Sequence, residues 1–294
     1  MAKNKDPLKV AKKQTSNVMK KLNVRSLGTQ RNYARSLTLF TQHLNLEKST
    51  SLRNATQSQA LQFLTDRAAS VGQKQLDMDR QAIQALLQHN GELEASQTLE
   101  VIKTEKDEIL QSRAYTRNQV ELIQESQSDK HSLATRLAET AGLRAHEMGT
   151  LLPIEERAPD FREEHSPFRF REQEKWIAYT VVGKGGLCRE VRFPQALADE
   201  LEERRLETPL WQTDRDIPYK TRYDIGFGKQ WSDSFSKASN RALGWSNGGH
   251  GLRHTYAQQR IDVLMHHCPY KEALKAASQE LGHLRPEITL VYLR

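Results

Sequence analysis

Two short stretches of the chain carry arginine and histidine at close spacing. The stretch A-G-L-R-A-H-E-M holds Arg144, and H-G-L-R-H-T-Y-A holds His250 and Arg253. Further on, L-G-H ends at His283, and Tyr292 follows in a short apolar segment. Planar guanidinium groups can bind two oxygens of a phosphodiester at once and do not titrate. The two arginines are therefore candidate clamps for a phosphate whose transition state gains negative charge.

A site that cuts a phosphodiester also needs a nucleophile and groups that move protons. Tyr292 could supply the attacking oxygen, and a histidine such as His250 suits a general base because imidazole titrates near neutrality. The departing alkoxide needs a proton, and Lys184, in the glycine-rich stretch V-V-G-K-G-G-L, is the candidate donor. His283 would add a hydrogen bond to the phosphate. These residues predict covalent chemistry without a metal or other cofactor.

Each of these residues also has an ordinary structural explanation. Lysine is common in exposed turns, and a tyrosine in an apolar terminal helix is usually a core or interface residue. His250 and His254 are four residues apart, as metal ligands on a helix can be, but no acidic or cysteine partner stands at a useful spacing. The cluster His266-His267-Cys268 also lacks a second ligand pair. We therefore predict no metal site.

Taken together and in this order, the motifs resemble the tyrosine recombinase (phage integrase) family. The matching stretches lie in the second half of the chain, at 141–148, 183–186, 250–257, 281–283 and 289–293. The resemblance implies a 3′-phosphotyrosyl intermediate on Tyr292, a free 5′-hydroxyl, and strand exchange without ATP or metal. It also implies that Glu147 supports Arg144 rather than reacting.

The same resemblance implies a set of partners. These are double-stranded DNA recombination sites, a homotetramer assembled on two duplexes, and DNA-bending accessory proteins. The predicted function is a site-specific DNA recombinase, the integrase of a mobile element that it integrates or excises. Two alternatives stay open: a type IB topoisomerase-like enzyme that nicks and religates one duplex, and a non-catalytic DNA-binding protein of the same fold. The spacing from L-G-H to Tyr292 favours the recombinase, and a protein that only binds DNA has no need of that tyrosine.

The composition agrees with a nucleic-acid partner. The 294 residues include 44 Lys and Arg against 37 Asp and Glu, a net charge of +7, which suits a polyanion. The two cysteines, Cys188 and Cys268, indicate a reducing compartment with free thiols. No apolar run approaches the ~20 residues that span a bilayer, and no apolar segment follows the first lysines as a secretory signal requires. The expected location is cytoplasmic, on the nucleoid when DNA is bound.

The first part of the chain is predicted to be a tail followed by a helical bundle. Residues 1–24 are rich in lysine and predict a flexible basic tail, which either lies on DNA phosphates or only aids solubility. Residues 25–110 predict helices, and by resemblance they form the core-binding domain that grips DNA. Thr29 is the expected first N-cap, and Arg31 and Arg35 on that helix are candidate DNA contacts. Further helices are expected at 57–70, 74–89 and 95–110.

Residues 111–294 predict an α+β catalytic domain, so that the chain as a whole is mainly α with a small antiparallel β-sheet. The charged stretch 104–115 marks the boundary and would hinge the two domains around a duplex. Strands at 176–182 and 188–194 form a hairpin with Lys184 at its tip. Residues 155–174 are expected to be an exposed loop, and 214–229 an irregular basic segment in which Lys220 and Arg222 are candidate DNA contacts. Helices are expected from Thr116, at 131–141, 197–206, 231–243, from His250, at 270–281 and after Pro286.

Overall fold

The computed structural model describes residues 6–22, 24, 26–46, 51–107 and 111–294. The chain divides into two compact units, Met1–Ile109 and Leu110–Arg294. The predicted hinge coincides in part with residues 108–110, which lie outside the described residues. The assignment of the first unit to DNA binding stays a prediction.

In its described residues, the first unit has four α-helices around an apolar core. They are α1 (Pro7–Met19), α2 (Leu27–Leu46), α3 (Gln57–Ala68) and α4 (Gln73–Asn90). Thr56 begins α3 in a reciprocal capping box with Gln59. Gly91 ends α4 with φ 78°, a left-handed conformation that favours glycine. The predicted helices at 57–70 and 74–89 are thus confirmed, and the core they enclose includes Leu37, Phe40, Leu64, Ile83 and Leu86.

The prediction of a flexible tail is wrong for most of its length, because residues 7–19 form helix α1. The Asp6 side chain accepts a hydrogen bond from the Leu8 N–H at 3.0 Å and so caps this helix. Ala11 and Thr15, four residues apart, are buried, and the Thr15 hydroxyl lies 3.4 Å from that of Thr41 on α2. Val18 and Met19 of this helix also pack against the core of the unit, while its exposed faces carry lysines. Residues 1–5 lie outside the described residues.

Two other predictions for this unit are also wrong. Thr29 lies inside α2, which begins one residue after Ser26. Residues 98–104 run without helical structure along the bundle. The Leu99 N–H donates to Gln84 Oε1 at 3.1 Å, and the Thr104 hydroxyl donates to the Val71 carbonyl at 2.6 Å. Side-chain amides and hydroxyls satisfy this backbone, so the segment needs no helix of its own.

The second unit contains six α-helices in the part of the chain that the structure describes. Thr116 begins the first of them in a capping box with Gln119, as its position predicts. The predicted terminal helix is instead a 3₁₀ segment, Pro286–Leu293. The helices are α5 (Arg117–Glu125), α6 (Asp129–Ala141), α7 (Gln195–Glu202), α8 (Gly228–Leu243), α9 (Gly251–Met265) and α10 (Tyr270–Glu280).

The predicted hairpin is confirmed and belongs to a three-stranded antiparallel sheet. Its strands are β1 (Leu152–Pro153), β2 (Ile177–Val182) and β3 (Cys188–Phe193), in the order β1-β2-β3. Val182 pairs with Cys188, so the turn between them holds Gly183 to Leu187. The short β1 has no sequence pattern of its own and was not predicted.

A second antiparallel hairpin corrects two predictions. Its strands are β4 (Arg205–Asp214) and β5 (Ile217–Tyr223). The helix expected over 197–206 therefore ends at Glu202, and the segment expected to be irregular is largely a strand. Arg215 and Asp216 adopt φ 50° and 63°, which suits a two-residue hairpin turn.

The charged segment 155–174 contains buried residues in its second half. Phe161 is 86% exposed, whereas Ser166 and Phe170 are buried. The Phe170 N–H donates to Glu280 Oε1 at 2.7 Å, and the Ser166 N–H donates to Gln279 Oε1 at 2.7 Å. The second half is therefore attached to the end of α10, which corrects the prediction of a fully exposed loop.

Candidate active site

The first predicted clamp, Arg144, follows helix α6 directly. Gly142 ends that helix with φ 56° and turns the chain. The Arg144 N–H donates to Glu147 Oε2 at 2.8 Å, and its Nη1 donates to Glu147 Oε1 at 2.7 Å. Glu147 is completely buried. The carboxylate thus holds both the backbone and the guanidinium of Arg144.

The second predicted clamp, Arg253, is fully buried in the first turn of α9. Its Nη1 donates to the Gly142 carbonyl, and its Nη2 donates to the Leu281 carbonyl at 2.9 Å. Arg144 Nη1 lies 3.5 Å from the same Leu281 carbonyl. The tertiary structure therefore brings together two arginines that are far apart in the sequence.

A third arginine, Arg189 on β3, joins this cluster and was not predicted. Its Nη2 donates to Glu147 Oε2 at 2.7 Å, an oxygen that lies 4.0 Å from Arg253 Nη1. Burial opposes ionisation of Glu147, but Arg189, Arg253 and Arg144 outweigh it, and the pKa of Glu147 is well below its ordinary value. Arg189 shares the inward face of its strand with Val191 and Phe193. A charged residue in that apolar alternation is the signal that could have found it.

Tyr292 lies in the same cluster and is only 8% exposed. Its ring centroid is 4.7 Å from that of His254, 5.3 Å from that of His283 and 5.5 Å from that of His250. The Arg253 guanidinium carbon lies 5.6 Å from the ring centre. Within the described residues, the Tyr292 hydroxyl has no hydrogen-bond partner. The tyrosine therefore occupies the site of its own chain.

The three histidines around Tyr292 have lowered pKa values. Burial and then the charge of Arg253 lower the pKa of His250 to about 4 and that of His283 to about 3. Burial, Arg113 and Arg253 lower the pKa of His254 to about 4. His250 as a whole is exposed, but its imidazole packs against the Tyr292 ring. All three are neutral near pH 7 and can accept a proton. His254, whose ring is closest to the tyrosine, was considered from the sequence only as a metal ligand.

Lys184 is exposed in the turn between β2 and β3. Within the described residues, the structure gives its amino group no hydrogen bond or ion pair. The residue before it, Gly183, lies against the cluster: a Cβ built there would be 3.2 Å from Glu147 Oε1 and 3.8 Å from Arg144 Nη1. The turn therefore begins at the cluster, and Lys184 stays a predicted proton donor.

The four candidate DNA-contact residues lie in both units. Arg31 and Arg35 are exposed on α2, and Lys220 is exposed on β5. Arg222 is half-buried, with its Nη2 3.5 Å from Glu156 Oε1 and its Nη1 3.4 Å from the Leu206 carbonyl. Arg222 already has internal partners, whereas the other three are accessible.

The described residues do not meet the requirements of a three-ligand metal site or of a membrane-spanning helix. Among the described residues, no group of three or more His, Cys, Asp and Glu side chains is placed to hold a metal ion. His267 Nε2 lies 2.6 Å from Glu172 Oε1, and Cys188 and Cys268 are buried free thiols. No described helix is long and apolar enough to cross a membrane.

The chain has the fold of solved tyrosine recombinases, and the predicted mainly helical fold with a small antiparallel sheet is confirmed. The XerH site-specific recombinase in its post-cleavage complex with a difH substrate is 20% identical, with a TM-score of 0.58 over 96% of this chain and 81% of that one. The Tn1549 transposon integrase bound to transposon right end DNA is 14% identical, with a TM-score of 0.58 over 97% and 94%.

A lambda integrase tetramer bound to a Holliday junction is also similar. It is 15% identical, with a TM-score of 0.58 over 95% of this chain and 76% of that one. No protein-family model matches the sequence, and no curated protein matches it. The likeness is therefore one of fold.

Proposed function

We propose that this protein is a site-specific DNA recombinase that cleaves and rejoins strands through a covalent bond to Tyr292. The observation that supports it best is the environment of that tyrosine. Its ring is enclosed by three neutral imidazoles and a buried guanidinium, while its hydroxyl has no partner among the described residues. The Tyr256 hydroxyl, by contrast, donates to Glu280 Oε2 at 2.8 Å and is not available to react.

In the proposed first step, the Tyr292 oxygen attacks phosphorus and its proton passes to an imidazole. The bond from phosphorus to the 5′-oxygen breaks, and that oxygen takes a proton from Lys184. Arg144 and Arg253 bind the non-bridging oxygens and stabilise the added negative charge. Arg253 is held in advance by two carbonyls, so little reorganisation is needed during the reaction.

In the second step, the 5′-hydroxyl of another strand attacks the 3′-phosphotyrosyl bond. The 5′-hydroxyl gives its proton to the Lys184 amine, and Tyr292 leaves and recovers its proton from the imidazole, so one phosphodiester is exchanged for another. Because the bond energy is retained in the covalent intermediate, the reaction requires no ATP. Whether the products are integrated or excised depends on how the two DNA sites are arranged.

Two imidazoles compete for the role of general base. His250 is accessible at the start of α9, whereas His254 has the ring closest to Tyr292. An anionic phosphate in the site would raise the pKa of both. We assign the base to His250, because a residue at the accessible edge can release the proton to solvent. Comparison of His250→Ala and His254→Ala tests this: the larger loss of cleavage rate identifies the base.

The comparisons also support an assembly. The similar lambda integrase forms a tetramer on a Holliday junction, and the similar Tn1549 protein binds the end of a transposon. We propose that four copies of this chain act on two duplexes and that the DNA belongs to a mobile element. DNA-bending accessory proteins and a location on the nucleoid follow from the same proposal.

The deciding experiment traps the covalent adduct on a nicked suicide duplex that carries the element's own end. The wild type should form the adduct, also in excess EDTA, and Tyr292→Phe should not. Tyr270→Phe, which changes an exposed tyrosine, is the matched control and should keep full activity. Adduct formation by Tyr292→Phe would refute the assigned nucleophile, and dependence on metal with release of free ends would indicate a nuclease.

The type IB topoisomerase alternative uses the same first step and is distinguished by its products. A topoisomerase would relax supercoiled DNA without a specific site, whereas a recombinase joins strands from two partner duplexes. Binding of the sites without any adduct would support the non-catalytic alternative.

A further inference from the structure

A cavity of about 530 Å³ adjoins the catalytic cluster. Its walls are the segment 159–169, the start of β3 and the stretch 282–284 that contains His283. Arg189, which binds Glu147 on one side, also lines this cavity. Arg189 and His283 therefore belong both to the cavity wall and to the group of residues around Glu147 and Tyr292. A ligand in the cavity would lie next to a phosphate bound at Tyr292.

Each of three arginines in the cavity wall lacks one hydrogen bond. These arginines are Arg162, Arg169 and Arg189. The Nε of each is buried and has no hydrogen-bond partner. Arg189 is only 4% exposed, and both of its Nη atoms already donate to protein oxygens. Removal of a guanidinium N–H from water without a partner costs free energy. Three such groups around one cavity indicate that it is shaped to receive an anion.

Three acidic residues line the cavity, Asp160, Glu164 and Glu190, and two of them have other partners. Asp160 Oδ2 accepts the Cys188 N–H at 3.0 Å, and Glu190 Oε1 accepts from Arg192 Nε at 2.7 Å. Within the described residues, neither Arg162 nor Arg169 has a carboxylate within ion-pair distance. Arg169 Nη1 lies 2.7 Å from His165 Nδ1, and the guanidinium carbon of Arg169 lies 4.9 Å from the centre of the Phe170 ring. The charges of Arg162 and Arg169 are therefore left for an external anion, whereas the charge of Arg189 is paired with Glu147.

We propose that this cavity is a second phosphate subsite, which holds a non-scissile phosphate of the strand that Tyr292 cleaves. This inference rests on the proposed function. A phosphodiester has oxygens enough for several guanidinium donors at once. Phe161 and Leu284 are exposed and line the same cavity, and such side chains can contact a sugar or stack on a base. A nucleotide of the DNA strand satisfies both features, whereas a free phosphate ion would leave the apolar side chains uncovered.

The test is a charge scan of the suicide duplex with the full-length protein. Methylphosphonate linkages, which lack one negative charge, replace the phosphates near the cleaved bond one at a time, and the rate of adduct formation is measured. With the wild type, one non-scissile position should lose about 10-fold or more in rate, the size expected for a lost charged hydrogen bond. Arg169→Gln and Arg162→Gln should form the adduct slowly on unmodified DNA. A methylphosphonate at that one position should reduce their rate little further.

Arg171→Gln is the matched control. Arg171 lies on the same segment, is exposed, and pairs with Glu174 at 3.5 Å outside the cavity. It should respond to every methylphosphonate as the wild type does. If each methylphosphonate slows adduct formation equally in Arg169→Gln and the wild type, the subsite is refuted. It is also refuted if Arg171→Gln loses the sensitivity that the wild type shows at the one position.

Titration with inorganic phosphate shows whether the cavity binds a phosphate of the DNA strand or a free phosphate ion. If phosphate raises the melting temperature of the wild type and of Arg171→Gln but not of Arg162→Gln, while the charge scan shows no coupling, the cavity takes a free anion and the DNA subsite is refuted. Failure of adduct formation on every duplex, unmodified DNA included, would refute the proposed function and this inference with it. Intact adduct formation without coupling refutes the subsite alone.

Discussion

Arg189 Nη2 donates to Glu147 Oε2 at 2.7 Å, while Arg144 Nη1 donates to the other oxygen of the same carboxylate, Glu147 Oε1, at 2.7 Å. Arg189 Nη1 also donates to the Glu280 carbonyl at the end of α10. One buried side chain of β3 therefore connects the carboxylate that holds Arg144 to the segment that leads into His283. Arg189 is a positioning residue for the proposed reaction.

Replacement of Arg189 by lysine should slow adduct formation about 10- to 100-fold, or about 1.4 to 2.8 kcal/mol in barrier height. A single ammonium group cannot bond Glu147 and the Glu280 carbonyl in the geometry of a guanidinium. The rate at saturating DNA should fall while DNA affinity changes little, because many phosphate contacts provide the affinity. Arg192→Lys, on the same strand, is the control. An unchanged rate at saturation would show that Arg189 does not position the site.

The Glu147→Gln variant should lose about 3–5 kcal/mol of stability, because it leaves buried guanidinium charges without compensation. Urea denaturation of the full chain measures the loss. The control is Glu121→Gln, which breaks an exposed pair with Arg117 and should change stability by no more than about 0.5 kcal/mol. Similar losses in the two variants would contradict the central role of Glu147.

The stability of the protein should fall as the pH decreases from about 6.5 towards 4. The pKa values of His254 and His283 are lowered to about 4 and about 3 in the folded chain, so the unfolded chain binds more protons in that range and is favoured by acid. Thermal melting at a series of pH values measures this. His254→Gln should flatten the slope, whereas His266→Gln, at an exposed position, should leave it unchanged. If the melting temperature of His254→Gln depends on pH as that of the wild type does, the imidazole of His254 is not buried and neutral in the folded protein.

Gly142→Ala should reduce both stability and cleavage. Gly142 has φ +56°, and a Cβ there would lie 2.7 Å from Leu281 Cδ2 and 2.7 Å from Tyr256 Cδ1. The Gly142 carbonyl also accepts from Arg253. We expect about 1–2 kcal/mol from the left-handed backbone and about 1–3 kcal/mol from overpacking.

The control for that variant is Gly244→Ala at the end of α8. Gly244 has φ +80°, and its Cβ would have open space around it. This variant should show only the backbone cost, about 1–2 kcal/mol, and full cleavage activity. Denaturation and the adduct assay together separate the two effects. Equal stability and equal activity of the two variants would show that contact with Leu281 and Tyr256 is unimportant.

Much of the fold was predictable because its signals are local. Caps at Thr56 and Thr116 and a terminating glycine at position 91 lie next to the helices that they bound, and the glycine-rich turn lies between its own strands. The hairpin of β4 and β5 was missed, since β4 is mostly exposed and lacks apolar alternation, so that the alternation in β5 had no recognisable partner strand. Helix α1 was missed because its two buried residues, Ala11 and Thr15, are small and its exposed faces are rich in lysine.

The sequence by itself determined which groups could act on a phosphodiester. Their types and order are written in short motifs, and a histidine and an arginine three residues apart share a helix face whatever the rest of the chain does. Only the tertiary structure decided what surrounds them. It placed His254 closest to the Tyr292 ring, made Glu147 the shared partner of Arg144 and Arg189, and left three arginine Nε atoms around one cavity without partners. Burial and charge pairing arise from contacts between residues distant in the chain, so no local spacing could have determined them.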